Sequence, residues 1–337
     1  MPAKFFIKFL MSLIVATALC MASCSAQNQV DTNYIKEFAK DNNIKSISGT
    51  NRSIFVFNHV SDDQMLNKRR IEANTSAFTG INFVYKWLSL EYDWVLPHTA
   101  VDNKYSEARV GSFHAFQLGK KFGFEGDYQK YNGLVLPVKD RRGAFDHFNN
   151  VNYKSYSLNL YYFFNFRRFS YNSAYKYSYL QARSAGSIIL LLSPSYQSFG
   201  VSDTISANIS ARDKRFIEII EQQPKWFTLL SRVGYSYNFI LDKGTWSVNP
   251  SFLLGIGAET PLNNSRIFDR SLGLVNSYQA RLNGGYNGDD FFIFLNLVLD
   301  KTIYHLDNTQ LNTINNFYAF NIGWRFRGLK RSVLWVL

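Results

Sequence analysis

Hydrophobic and polar positions alternate with a period of two along most of this chain. Between Val151 and Phe166 one set of positions reads Tyr156, Leu158, Leu160, Tyr162, Phe164 and Phe166, while the interleaved set reads Ser155, Ser157, Asn159, Tyr161, Phe163 and Asn165. That period belongs to a strand whose side chains point to opposite faces. Similar segments recur at 52–60, 71–85, 88–95, 107–118, 122–131, 169–180, 187–199, 227–241, 245–258, 273–286, 291–304 and 313–327. Many run well beyond the roughly five or six residues usual in soluble sheets and match strands that cross a bilayer at a tilt. The expected fold is therefore all-β, a transmembrane antiparallel β-barrel. About thirteen candidates are one too many for an even-numbered barrel, so the expectation is about twelve strands, with ten or fourteen allowed.

Details of the pattern set further expectations. Ile71, Ala73, Thr75, Ala77, Thr79, Ile81, Phe83 and Tyr85 share one face of what reads as a single strand. Tight turns fall at Lys86-Trp87, Gly119-Lys120-Lys121, Arg167-Arg168, Asp242-Lys243-Gly244 and Asn287-Gly288-Asp289. A short helical piece is expected near 33–40, with Tyr34, Ile35, Phe38 and Ala39 on one face and Thr32 as cap. Another is expected near 213–223, where Phe216, Ile219 and Ile220 have helical spacing and Pro224 is the stop. The long connection over 200–225 arrives out of turn. Either 52–60 lies outside the barrel or a strand is misassigned between 175 and 199.

The first residues carry an independent signal. Lys4 and Lys8 precede an apolar stretch from Phe9 to Leu19 and small residues up to Ala26, the order of a secretory signal peptide. The domain reading is a signal peptide over 1–26, a periplasmic N-terminal segment over 27–51, the barrel over 52–328 and a tail over 329–337. Met21-Ala22-Ser23-Cys24 is a rival lipoprotein box, with Cys24 as the lipidated residue. Both cysteines, Cys20 and Cys24, lie in the leader, so after cleavage past Ala26 disulfide scaffolds, thiolate metal sites and cysteine nucleophiles are excluded.

Composition adds three points. Mean hydropathy is −0.18, and beyond the leader no strictly apolar run is longer than Ile188 to Leu192. Barrels give that weak signal because lipid-facing and lumen-facing residues cancel in any window. An aromatic content of 17% fits interfacial girdles better than a soluble sheet. The formal net charge is +12, and losing Lys4 and Lys8 with the leader leaves +10. An exported chain with dispersed basic residues points to anionic lipid head groups or lipopolysaccharide phosphates rather than nucleic acid.

Asp31-Thr32-Asn33-Tyr34-Ile35, Tyr85-Lys86-Trp87-Leu88-Ser89-Leu90, Tyr128-Gln129-Lys130-Tyr131-Asn132-Gly133, Arg168-Phe169-Ser170-Tyr171 and Ser184-Ala185-Gly186-Ser187 occur in this order. With them the chain resembles an uncharacterised Bacteroidota outer-membrane family, domain of unknown function 4421. The resemblance covers most of the mature chain and implies a barrel, with no known activity or catalytic residues.

Candidate chemistry sits on the faces expected to point inward. Glu91, Asp93, Glu125 and Asp127 supply acids, and Arg232, Arg281, Arg325 and Arg327 supply bases. Such charges pair across a small lumen and fill it, or line a solute-selecting pore. Ser112 and His114 share a strand face, yet at that spacing their side chains stand about 7 Å apart, too far for a nucleophile and its base. Gly255 and Gly257 read as close backbone packing or a sheet bend. The expectation is a non-enzymatic outer-membrane barrel, structural or a small-solute pore, exported through the Sec pathway. No catalytic, metal or cofactor residues are assigned. Its partners are outer-membrane lipid, lipopolysaccharide and, during biogenesis, the barrel assembly machinery. The alternatives are a lipid-active hydrolase or acyltransferase, and a docking barrel for an envelope complex.

Overall fold

Twelve antiparallel strands close a hydrogen-bonded ring in the computed structural model, which describes residues 30–40, 42–59, 67–85, 88–101, 111–137, 145–201, 220–263, 272–306 and 309–328. In chain order the first strands are β1 (Ile35–Glu37), β2 (Asn42–His59), β3 (Asn67–Ala73), β4 (Ala77–Tyr85), β5 (Leu88–Val95), β6 (Gly111–Leu118), β7 (Phe122–Pro137) and β8 (Phe145–Phe163). A short helix α1 (Tyr171–Tyr175) and β9 (Tyr179–Gln181) follow. Then come β10 (Ala185–Val201), β11 (Lys225–Leu241), β12 (Trp246–Pro261), β13 (Gly273–Asn287), β14 (Phe291–Leu306) and β15 (Thr309–Phe326). The ring runs through β2, β4 to β8 and β10 to β15. Its seam is β15 on β2, from Thr309 opposite His59 to Phe326 opposite Asn42. Closure pairs the first and last strands of the ring, as a sheet in hydrocarbon requires, and the pairing is narrowest between β5 and β6, from Ser89 to Glu91.

Strand β3 is a thirteenth member of the sheet. It pairs with the far half of β2, Ile54 opposite Glu72, and reaches β7 at Ala73 opposite Leu134. At that end the ring bypasses β4, β5 and β6. Short turns at 119–121, 242–245 and 288–290 share one end with Asn42 and Phe326, while the connections at 96–110, 202–224 and 262–272 leave from the other. At Asp242-Lys243-Gly244 the chain turns through a short 3-10 segment, and Gly244 takes φ 111°, which favours glycine.

Side chains divide by face as in a membrane barrel. Large apolar groups stand exposed outside, among them Tyr92, Val233, Tyr235, Phe252 and Ile256. Ser, Asn, Gln and charged groups are buried inside, among them Asn238, Asn249, Ser277, Gln279 and Asn321. Burying a large apolar side chain stabilises a fold by about 1.5–3 kcal/mol, a gain that lipid contact supplies to this exterior and water does not.

The structure departs from the sequence expectations in four places. The segment 71–85 is two strands, broken at 74–76. Ile71 faces inward opposite Phe55, whereas Ile81 faces outward beside Ser46, so the break exchanges the faces. The segment 169–180 is not a barrel strand; it folds inside the ring as α1 and β9, which resolves the surplus in the strand count. No helix forms at 33–40. Instead Asp31 Oδ1 accepts from Asn33 N–H at 3.0 Å, and Ile35–Glu37 pairs with Tyr179–Gln181, because β9 offers these backbone groups partners that a one-turn helix could not. The barrel begins at Asn42 rather than at 52, since the outward face of β2 carries Ser46, Ser48 and Thr50 and gives no apolar alternation. The expected leader, most of the 213–223 helix and the 329–337 tail lie outside the described residues.

Candidate functional site in the barrel interior

The interior is built in three layers, each dictated by which residues alternate inward at that level. At the short-turn end the connection over 164–184 folds back into the ring. Ser170 caps α1 by accepting from Ser173 N–H at 3.1 Å. Barrel strands grip this connection with amide and guanidinium donors. Asn238 Nδ2 donates to Ser170 O (3.0 Å) and Gln181 Oε1 (3.1 Å), and Asn287 Nδ2 donates to Tyr179 O at 3.1 Å. Arg325 donates to Tyr177 O and Asn287 Oδ1. The Tyr177 ring stacks on Phe294, centroids 4.2 Å apart.

At the long-loop end the inward positions are aromatic. Phe55 of β2 touches Tyr153 of β8 (4.7 Å) and Phe199 of β10 (5.3 Å), and Phe199 contacts Trp226 of β11 at 5.9 Å. Since β2 and β10 lie far apart around the ring, these rings meet across the lumen. Ile220, from the connection before β11, is fully buried in the same cluster.

Between the two layers lies a cavity of about 280 Å³. One wall carries Glu91, Asp93, Glu125 and Asp127 from β5 and β7; facing groups include Arg232, Arg281 and Asp300 from β11, β13 and β14. Glu125 accepts from the hydroxyls of Tyr161 (2.8 Å) and Tyr175 (3.3 Å). Arg281 donates to Tyr171 Oη (2.9 Å), Tyr161 Oη (3.3 Å) and Gln279 Oε1 (3.1 Å), so it ties β13 to β8 and to α1. Arg232 pairs with Asp300 at 3.2 Å and donates to Ser277 Oγ at 2.9 Å. Lys45 approaches Glu91 at 3.5 Å and Asn321 Oδ1 at 3.2 Å. Lys176, in the connection just after α1, is buried among these groups. Burial draws its ammonium down to about 7, with Lys45 acting in the same sense and Glu91, Glu125 and Asp127 opposing.

Seven of the eight charges named from the sequence therefore stand on inward strand faces, although Arg325 belongs to the short-turn layer rather than the cavity wall. Arg327 follows β15 and is exposed. Asp300 shares the inward face of Phe292, Phe294, Asn296 and Thr302, so alternation contained the signal for it. Lys45 and Lys176 had no such signal, because both lie where the sequence suggested other structure. Gly255 stands beside Arg232, where a Cβ would meet Arg232 Cγ at 2.5 Å, and Gly257 lies against the backbone of Leu229. In β6, Ser112 registers with Gln129 and His114 with Asp127.

One buried acid stands apart. Glu259 of β12 is 1% exposed and neither carboxyl oxygen has a hydrogen-bond partner among the described residues. An isolated buried carboxyl is costly and a thioether of similar volume is not. Glu259→Met should raise stability by about 1–3 kcal/mol, read as a higher midpoint in urea unfolding of the detergent-solubilised protein.

No curated protein matches the chain. Similar solved structures include the outer membrane protease OmpT from Escherichia coli, at 11% identity and TM-score 0.36, covering 86% of this chain and 98% of that one. The beta domain of the Bordetella autotransporter BrkA is similar at 10% identity and TM-score 0.37, covering 86% and 100%. The transport unit of the autotransporter AIDA-I from Escherichia coli is similar at 12% identity and TM-score 0.33, covering 93% and 97%. Residues 29–326 match the model of the family described as a domain of unknown function, DUF4421, and the chain belongs to that family.

Proposed function

We propose that the protein is a non-enzymatic barrel of the outer membrane whose interior is a filled scaffold rather than an open pore. The observation that carries this reading is Arg281, which joins β13, β8 and the folded-in connection through Tyr161 and Tyr171 in the middle of the lumen. The connection at the short-turn end and the ring-to-ring contacts at the other support it. So do the apolar exterior and the leader-like start of the chain, which together fit export through the Sec pathway and insertion into lipid.

Planar-bilayer recordings on the purified mature protein test the filled interior. The expected trace is flat. Uniform conductance steps of an open channel would overturn it. Cell fractionation tests location separately, with recovery in the outer-membrane fraction expected.

A further inference from the structure

Four outward-facing aromatics fall in one hydrogen-bonded row across β7, β8, β10 and β11. Tyr128 is opposite Tyr156, Tyr156 is opposite Tyr196, and Tyr196 is opposite Phe227. Their rings touch, at 4.7 Å for Tyr128 on Tyr156 and 6.0 Å for Tyr156 on Tyr196. Toward the short-turn end the same wall presents Phe122, Tyr162, Leu190 and Val233. Such an aromatic row marks the level where hydrocarbon gives way to head groups.

Two residues further toward the long-loop end comes a row of lysines. Lys130 is opposite Lys154, and Ser198 stands opposite both Lys154 and Lys225. Neighbouring strands are about 4.8 Å apart, so three ammonium groups share a strip about 15 Å wide. Like charges directly opposite one another destabilise a ladder unless an anion offsets them. Among the described residues no carboxylate on this wall does so. Among the described side chains of the barrel strands, the outward-facing acid is Glu72, and it is engaged by Arg52 at 2.7 Å and Arg70 at 2.7 Å. The outward cations besides those two arginines and three lysines reduce to Lys301, also in the long-loop half.

We propose that Lys130, Lys154 and Lys225 form a binding site for the phosphate groups of a phosphorylated lipid in the leaflet at the long-loop end. The aromatic row holds the acyl region one level below, and the lysine row meets the phosphates. This rests on the membrane-barrel reading, which a heat-modifiable gel mobility of the folded protein tests on its own.

The experiment uses the purified mature protein in detergent with three probes: bisphosphorylated lipid A, lipid A stripped of phosphate, and inorganic phosphate. Native mass spectrometry reads the bound fraction. Lipid A should bind, and Lys130→Gln/Lys154→Gln/Lys225→Gln should weaken it roughly hundred-fold, from about five-fold per surface lysine. Lys243→Gln, in a short-turn segment at the opposite end, should bind like the wild type and serves as the control. Wild-type affinity in the triple variant overturns the site, and so does equal binding of the dephosphorylated lipid. Lysine-dependent binding of inorganic phosphate as tight as that of lipid A overturns the lipid as ligand. Gel mobility of the triple variant confirms that it is folded, as expected for side chains on the outer wall, of which Lys225 is exposed and Lys130 and Lys154 half-exposed.

Discussion

Arg281→Met should destabilise the barrel by about 3–5 kcal/mol, because it strands the buried Glu125 carboxylate, to which the guanidinium is linked through the Tyr161 hydroxyl. The substitution removes the donors to Tyr171, Tyr161 and Gln279 and leaves Glu125, 7% exposed, with tyrosine hydroxyls as its bonded partners. Adding Glu125→Gln should return much of the loss, because the uncompensated charge disappears, and the coupling between the two should be about 1–3 kcal/mol. Urea unfolding in detergent micelles, followed by tryptophan fluorescence, gives all three values. An Arg281→Met protein within about 0.5 kcal/mol of wild type would mean that the connection over 164–184 is not anchored through this residue.

Phe199→Ala is expected to cost a similar amount, about 3–5 kcal/mol, since it deletes a fully buried ring from a packed cluster and leaves a cavity. Phe55, Tyr153 and Trp226 each lose a ring contact. Phe239→Ala is the informative companion. That ring is 52% exposed on the outer wall, so its loss carries a lipid-transfer cost of about 1–2 kcal/mol and no cavity. The two substitutions delete the same side chain from opposite faces of adjacent strands. Equal losses would contradict an inside that is packed and an outside that is solvated by lipid.

The legibility of this molecule in its sequence varies from strand to strand. Along 151–166 and 313–327 the greasy set Tyr156, Leu158, Leu160, Tyr162 and the set Tyr318, Phe320, Ile322, Trp324 occupy the outer face as alternation requires. Where both faces of a strand are polar, as in the first half of β2, the same test is silent. Within 169–180 it misleads. Phe169, Tyr171, Tyr175 and Tyr177 look like a lipid-facing row, but they pack inside against Phe163, Phe294 and Arg281. An aromatic ring is favourable against hydrocarbon and against a protein core alike, so residue type alone does not separate the two.

Alternation over long segments, a high aromatic content and a polar face opposite each apolar one were enough to determine a closed antiparallel barrel with a polar inside, because a period of two assigns every side chain to a face without reference to anything distant. Only the tertiary structure decided that the connection over 164–184 folds into the lumen, that the faces exchange at 74–76, and that Lys45 and Lys176 join the inner charges. Those outcomes depend on which strands meet across the ring. Contacts between residues more than a hundred positions apart, such as Arg281 with Tyr171, leave no trace in local periodicity.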